Sequence, residues 1–214
     1  MKTGILFDLD GTLLDTLEDL LAATNVALKQ FGCPERTLAE LRTFVGNGAR
    51  NQIRLSLPGK ADDPDLDEVL AFYKEYYSGH CQNKTAPYPG VLEALAELSE
   101  YPMAIVSNKP DAAVKKLCEQ YFPGIYALGE AADCPRKPAP DMVYKAMKEI
   151  GVEKCIYVGD SEVDIRTAKN AGVPCISVLW GFRDRDVLEG EGGQHFCQTA
   201  GELVALIREL SHGQ

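Results

Sequence analysis

Two aspartates, Asp8 and Asp10, end the short apolar run Ile5-Leu6-Phe7 and are followed by Gly11 and Thr12. An apolar run of that length bounded by turn residues predicts a buried strand. Carboxylates at the end of a buried strand are costly unless something pairs with them. A divalent cation is the natural partner, and phosphoryl transfer is the chemistry that follows. Further along the chain, Ser107-Asn108 follows the run Met103–Val106, and Gly159-Asp160-Ser161-Glu162-Val163-Asp164 follows Cys155–Val158. Lys137 lies just ahead of a predicted helix that begins at Pro140.

Each of these groups has a use at phosphorus. Asp8, Asp10 and Asp160 can supply oxygen ligands to Mg²⁺, which favours a few carboxylates, waters and substrate oxygens. One carboxylate of the first pair can attack phosphorus and form an aspartyl-phosphate. The other can protonate the leaving alkoxide and later deprotonate the hydrolytic water. Ser107 and Asn108 can donate hydrogen bonds to phosphoryl oxygens, and Lys137 can neutralise charge that builds in the transition state. Gly11 lets the backbone come close to a phosphate. Taken singly, Asp160 reads as a helix cap, Asp164 as a solvated helix residue, Ser107-Asn108 as a turn and Lys137 as a surface charge. Their order, each at a strand end or loop, carries the argument.

The elements that must position these groups alternate. Strands are expected at the opening run and over Met103–Val106, Ile125–Leu128, Cys155–Val158 and Pro174–Val178. They are separated by helices over Asp111–Gln120, Pro140–Ile150 and Val163–Asn170, with a helix opened by Pro89-Gly90 and a closing helix over Ala200–Leu210. Strands that are continuous apolar runs have both faces buried. The fold class is therefore α/β, a doubly wound parallel (Rossmann-like) sheet. Its ligands belong beyond the carboxyl ends of the strands. Between Asp15 and Lys84 no strand is expected. Helices over Thr16–Gln30 (with Asp15 or Thr16 as N-cap and Gly32 as the stop), Thr37–Phe44, Asn47–Leu57 and Pro64–Gly79 predict a small helical insertion. The domains are thus a core of residues 1–14 and 85–214 and a helical cap of residues 15–84. Gly190-Glu191-Gly192-Gly193 reads as a flexible surface loop.

The net charge is -10, from 32 acids and 22 bases, which argues against nucleic-acid or anionic-membrane partners. An anionic substrate must then be attracted by local cations. The seven cysteines form no C-x-x-C pair, so free thiols in a reducing, cytoplasmic compartment are expected. The N-terminus does not read as a signal peptide, and no apolar stretch approaches membrane-spanning length. A monomer or homodimer acting on a small phosphorylated metabolite is expected.

The ordered set resembles the haloacid dehalogenase superfamily of phosphohydrolases over essentially the whole chain. Asp8-Leu9-Asp10-Gly11-Thr12 is similar to its first motif, Ser107-Asn108 to the second, Lys137 to the third and Gly159-Asp160-Ser161-x-x-Asp164 to the fourth. The resemblance implies Asp8 as nucleophile and Asp10 as general acid and base, a distinction the chemistry alone leaves open. It implies Mg²⁺ held by the Asp8 side chain, the Asp10 backbone carbonyl and Asp160. Asp164 then supports the metal site or Lys137, and Gly11, Thr12, Ser107 and Asn108 lie at the phosphate. Asp10 separates the chain from dehalogenases and phosphonoacetaldehyde hydrolases, which lack that acid. The β-phosphoglucomutase branch, a phosphotransferase alternative, is also similar. It carries a histidine where this chain has Leu20, and Thr12 points the same way, towards a hydrolase. Val45-Gly46-Asn47-Gly48-Ala49, Ser107-Asn108-Lys109-Pro110, Ala171-Gly172-Val173-Pro174 and Trp180-Gly181-Phe182-Arg183 resemble the phosphoglycolate phosphatase subfamily. In that subfamily the glycine turn faces the active site, which makes Asn47 and Arg50 candidate substrate contacts. Related caps serve nucleotide, sugar-phosphate and pyrophosphate hydrolases.

Overall fold

A computed structural model describes residues 2–59 and 65–212. The strands are β1 (Thr3–Phe7), β2 (Leu14–Asp15), β3 (Ala86–Pro87), β4 (Met103–Pro110), β5 (Tyr126–Glu130), β6 (Lys154–Gly159), β7 (Cys175–Val178) and β8 (His195–Cys197). The helices are α1 (Leu17–Gln30), α2 (Leu38–Phe44), α3 (Gly48–Ser56), α4 (Leu66–His80), α5 (Val91–Glu97), α6 (Asp111–Tyr121), α7 (Asp141–Glu149), α8 (Glu162–Ala171), α9 (Arg185–Gly190) and α10 (Ala200–His212).

Six strands form one sheet in the order β5-β4-β1-β6-β7-β8, every pairing parallel. After β1 the chain builds β4 and β5 on one side, then returns to build β6, β7 and β8 on the other. The reversal at β1 is the doubly wound pattern read from the sequence, and it opens a crevice at the carboxyl ends of β1, β4 and β6.

The side chains of β1 divide between the two faces. Ile5 and Phe7 pack with Ile105, Val158 and the apolar faces of α5, α6 and α10, whereas Leu6 packs with Val106, Tyr157, Met142 and Val143. Each fully buried Ile, Leu or Phe contributes about 1.5–3 kcal/mol. The strand end that carries Asp8 is therefore anchored on both faces.

The structure corrects several local expectations. Ser107 and Asn108 do not follow β4 but lie in it, and the strand runs on to Pro110 through a register shift after Val106. Ser107, Asn108 and Lys109 are buried, and tertiary contacts override the turn-forming tendency of their types. Thr16 is the N-cap of α1, but its side chain makes no capping bond. Instead the Leu17 N–H donates to Asp15 Oδ1 at 3.3 Å. Thr37 caps α2 with a reciprocal capping box to Glu40. Gly190 closes α9 rather than joining a loop, and β8 and α9 are elements too short to have been expected. Pro64, the expected start of the fourth helix, lies outside the described residues.

Among the described residues from Asp15 to Lys84 the elements are the helices α1 to α4, apart from Asp15 itself, which forms β2 with Leu14. Leu14 pairs with Pro87 and Asp15 with Ala86, antiparallel, so the chain leaves for the helices and returns from them side by side. Asp19 in the first turn of α1 fastens the return. Its carboxylate accepts from the backbone N–H groups of Lys84 (3.0 Å) and Thr85 (2.9 Å) and from the Thr85 hydroxyl (2.8 Å). Among the described residues, no helix is long and apolar enough to cross a membrane.

Candidate active site

The crevice is a narrow cleft enclosing about 40 Å³, lined by Asp8, Asp10, Ser107, Asn108 and Lys109 on the sheet side. Leu20, Gly46, Gln52, Tyr73 and Tyr77 line it from the helical side.

Its floor is a closed polar network. Lys137 is buried, and its Nζ donates to Asp8 Oδ1 at 2.7 Å, Asp164 Oδ1 at 2.8 Å and the Tyr157 hydroxyl at 3.0 Å. An ammonium has three donors, and all three are used here. Burial opposes the charge on Lys137, yet Asp164, Asp8 and Tyr157 outweigh it and hold its pKa well above the ordinary lysine value. Asp164 is fully engaged, since its Oδ2 accepts from the Ser161 hydroxyl at 2.6 Å and the Ser161 N–H at 3.1 Å. It steadies Lys137 and the start of α8.

Asp8 follows β1, and its N–H donates to the Val158 carbonyl at 2.8 Å, so the sheet ladder itself sets the nucleophile candidate in place. Burial raises its pKa to about 7 against the pull of Lys137, with Asp164 pushing the same way as burial. Asp160 is buried, and burial, Asp164 and Asp8 raise its pKa well above the carboxylate range. The Phe182 N–H, which donates to its Oδ2 at 2.7 Å, only partly opposes this. Oxygens of Asp8, Asp160 and Asp164 all lie within 4.8 Å of one another. Three buried acids against one lysine leave a net negative cluster of hard oxygen donors. That composition fits a divalent cation such as Mg²⁺. Because Asp164 is occupied by Lys137 and Ser161, Asp8 and Asp160 are the carboxylates that could hold it.

Asp10 stands on the other side of the cleft floor, its Oδ1 paired at 2.7 Å with the buried Lys109. Asn108 Nδ2 donates to the Lys137 carbonyl at 3.0 Å and to the Gly46 carbonyl at 3.3 Å, which joins β4, the Lys137 loop and the glycine turn. Ser107 lines the cleft, and its Oγ accepts from the Lys109 N–H at 3.2 Å.

Not every expected residue reaches the cleft. Gly11 has φ +85°, and a Cβ there would collide with the Asp160 carboxylate and the Phe182 ring, so glycine is needed at this point for Asp160 as much as for any phosphate. Thr12 is fully buried and does not line the cleft. Its carbonyl accepts from Trp180 Nε1 at 3.0 Å. Gly46 and Gly48 line the cleft but Asn47 between them does not. Arg50 is exposed and paired with the exposed Asp67 of α4, away from the cleft.

Lys109 and Arg183 enter the sequence reading only as members of subfamily motifs and Tyr157 only as a strand residue, and none of them, nor Tyr77, is expected at the site. Arg183 bridges the two regions: it pairs with Glu162 at 2.7 Å and donates to the carbonyls of Arg42 (2.7 Å) and Val45 (2.8 Å). Arg42 reciprocates by reaching Asp184 at 2.9 Å.

A doubly wound parallel sheet with an aspartate pair, a buried lysine and a further acid at its carboxyl edge defines a phosphohydrolase. The chain belongs to the haloacid dehalogenase-like hydrolase family, whose sequence model matches residues 5–178. It is similar to a phosphoglycolate phosphatase of Mesorhizobium japonicum, at 36% identity over 97% of this chain and 98% of that protein. A phosphoglycolate phosphatase of Pseudomonas putida is 34% identical over 87% of this chain and 73% of that protein. Among solved structures, a candidate phosphoglycolate phosphatase from Lactobacillus delbrueckii subsp. bulgaricus superposes with a TM-score of 0.89. It is 38% identical, with 97% of this chain and 99% of that one covered.

Proposed function

We propose that this phosphatase is a Mg²⁺-dependent phosphomonoesterase that works through an aspartyl-phosphate on Asp8, with 2-phosphoglycolate as its substrate. The observation that carries the reading is the floor of the cleft, where Lys137 fixes Asp8 Oδ1 at 2.7 Å and Asp10 lines the same cleft. Asp8 and Asp160, with the Asp10 backbone carbonyl, would hold the cation. When bound, it supplies charge neutralisation and polarisation of the phosphoryl group.

In the first half-reaction an Asp8 oxygen forms a bond to phosphorus, the ester P–O bond breaks, and Asp10 gives its proton to the departing alkoxide. In the second, water attacks phosphorus and passes a proton to Asp10, the bond from phosphorus to Asp8 breaks, and inorganic phosphate leaves. Lys137 neutralises the Asp8 side of the transition state, and Ser107 and Asn108 meet the phosphoryl oxygens. Asp164 and Tyr157 hold Lys137 in place.

Leu20 supports hydrolysis over a mutase. It lines the cleft and is buried, at the position where a mutase of this type carries a histidine, and it has no group to exchange protons with a sugar hydroxyl. The substrate assignment is supported by the names of the relatives. We further assign residues 15–84 as a cap over a core of residues 1–14 and 85–214. We place the protein in the cytoplasm as a monomer or homodimer. None of the seven cysteines is in a disulfide, in keeping with that compartment, and the net charge of -10 speaks against nucleic-acid partners.

The test is phosphate release from a panel of metabolites with Mg²⁺. Highest kcat/KM on 2-phosphoglycolate is expected. A preference for a nucleotide or pyrophosphate moves the substrate elsewhere in the superfamily, and isomerisation of β-glucose 1-phosphate without phosphate release overturns the hydrolase.

A further inference from the structure

The helical wall of the cleft carries polar groups that the steps at phosphorus do not use. Tyr77 on α4 is 2% exposed and lines the cleft, and its hydroxyl has no hydrogen-bond partner among the described residues. A buried hydroxyl left without a partner is costly, so its retention at a cleft wall points to a bound group that completes it. Tyr73, one turn earlier, stacks on the Tyr77 ring with centroids 5.6 Å apart. Its own hydroxyl accepts from Gln52 Nε2 at 3.3 Å, and the same amide donates to Thr24 at 2.9 Å. Tyr77 is therefore held in a fixed orientation by partners that are themselves satisfied.

Opposite it, on β4, Lys109 is the only basic residue among those that line the cleft. Its Nζ lies 4.6 Å from the centroid of the Tyr77 ring and 2.7 Å from Asp10 Oδ1. One of its three N–H donors faces Asp10, which leaves donors for a second acceptor. With a net charge of -10 the protein as a whole repels anions, so an anionic substrate depends on such local cations.

We propose that Lys109 and Tyr77 form the subsite for the leaving group, and that this subsite reads a carboxylate close to the ester oxygen. The inference rests on the phosphomonoesterase reading above. The phosphoryl group is held at the Asp8 side of the floor, and the leaving oxygen faces Asp10. Lys109 sits one hydrogen bond beyond Asp10, so an anion it contacts lies only a few bonds from the leaving oxygen. That spacing suits a short acyclic alcohol with a carboxylate. A diphosphate needs more charge than one lysine shared with Asp10 provides. The Lys109 ammonium and the Tyr77 hydroxyl would both donate to the carboxylate, and the bound substrate would satisfy the orphan hydroxyl.

The experiment compares 2-phosphoglycolate with ethyl phosphate, which is similar in size but lacks the carboxylate. Wild type, Tyr77→Phe, Lys109→Met and Lys109→Arg are each assayed with Mg²⁺, with thermal melts to verify folding. Wild type is expected to favour the carboxylate ester. Tyr77→Phe is expected to raise KM for 2-phosphoglycolate about tenfold, to leave KM for ethyl phosphate within about twofold, and to leave kcat unchanged for both. Lys109→Met is expected to remove most of the preference and Lys109→Arg to restore part of it. Equal losses on both esters, or a wild type without preference, overturn the subsite and leave the phosphatase intact. No phosphate release from any ester of the wider panel overturns the phosphatase reading itself. Tyr77→Phe carries the test if Lys109→Met does not fold.

Discussion

The floor of the cleft and its helical wall are built on different terms. On the floor, Lys137, Asp8, Asp164 and Tyr157 satisfy one another within 3.2 Å in a buried network anchored on the neighbouring strands β1 and β6, the Lys137 loop and α8. On the wall, Tyr77 keeps an unpaired hydroxyl, Leu20 and Ala49 are apolar, and the attachment to the core runs through Arg183 and Arg42. A buried network so densely paired resists rearrangement and suits chemistry that needs fixed distances. A wall with one unpaired hydroxyl and a few polar links to the core can adjust to what binds, and it suits selection and closure.

Substitutions can break that contrast. Asp8→Asn removes the proposed nucleophile while keeping shape, and kcat is expected to fall by ~10⁴-fold or more. Circular dichroism and the melting temperature should show the fold intact, and turnover near the wild-type rate excludes Asp8 as nucleophile. Lys137→Met strands two buried carboxylates, a change expected to cost about 3–5 kcal/mol of stability along with most activity. Urea denaturation measures this, and a variant as stable as wild type shows that the network is not a structural keystone.

Metal removal probes the same floor with a smaller effect. Burial raises Asp8 to about 7, and Asp160 shifts the same way, so the folded state binds more protons than the unfolded chain above the ordinary carboxylate range. Without divalent cation, stability should therefore fall as pH rises towards 7, the reverse of the usual carboxylate trend. Added Mg²⁺ should flatten that slope by neutralising the same acids. Melting temperatures across this pH range with EDTA or Mg²⁺ decide the point, and identical slopes argue against a cation at Asp8 and Asp160.

Two wall substitutions sharpen the other side. Arg183→Ala deletes one ion pair and two carbonyl contacts to the helical segment, a loss of about 1–2 kcal/mol of closure. Steady-state kinetics should show KM raised several-fold with a lesser change in kcat, whereas an unchanged KM means that closure does not depend on this link. Arg50→Ala is expected to do least. Its exposed pair with Asp67 lies outside the cleft, so kcat/KM should stay within about twofold. A large rise in KM restores Arg50 as a substrate contact.

Much of the floor was legible in the sequence because parallel strands announce themselves as apolar runs and their ends carry the polar groups. Asp8, Asp10, Ser107, Asn108 and Asp160 were all read in this way. Lys137 follows no strand, and only its place in an ordered set of motifs distinguished it from a surface lysine. Tyr157 read as one more apolar strand residue, since nothing local says that its hydroxyl meets a lysine 20 positions away. The wall was far less legible. Arg183 lies 138 positions from Val45, and on the floor Lys109 and Asp10 are likewise 99 apart, so their contacts arise only when the sheet closes. Arg50 was misplaced for the converse reason, because a charged residue one turn into a helix can face either way. Two-residue β2 and β3 and three-residue β8 are shorter than any periodicity can register.

The pairing of Leu14 with Pro87 gives the molecule a seam. Seen from the sheet, everything between those two residues is a loop whose ends meet at one rung. Its length and content can change without shifting β1 against β4 or β6. Descent can therefore refit the helices to a new metabolite while the hydrolytic bench beneath them is inherited unaltered.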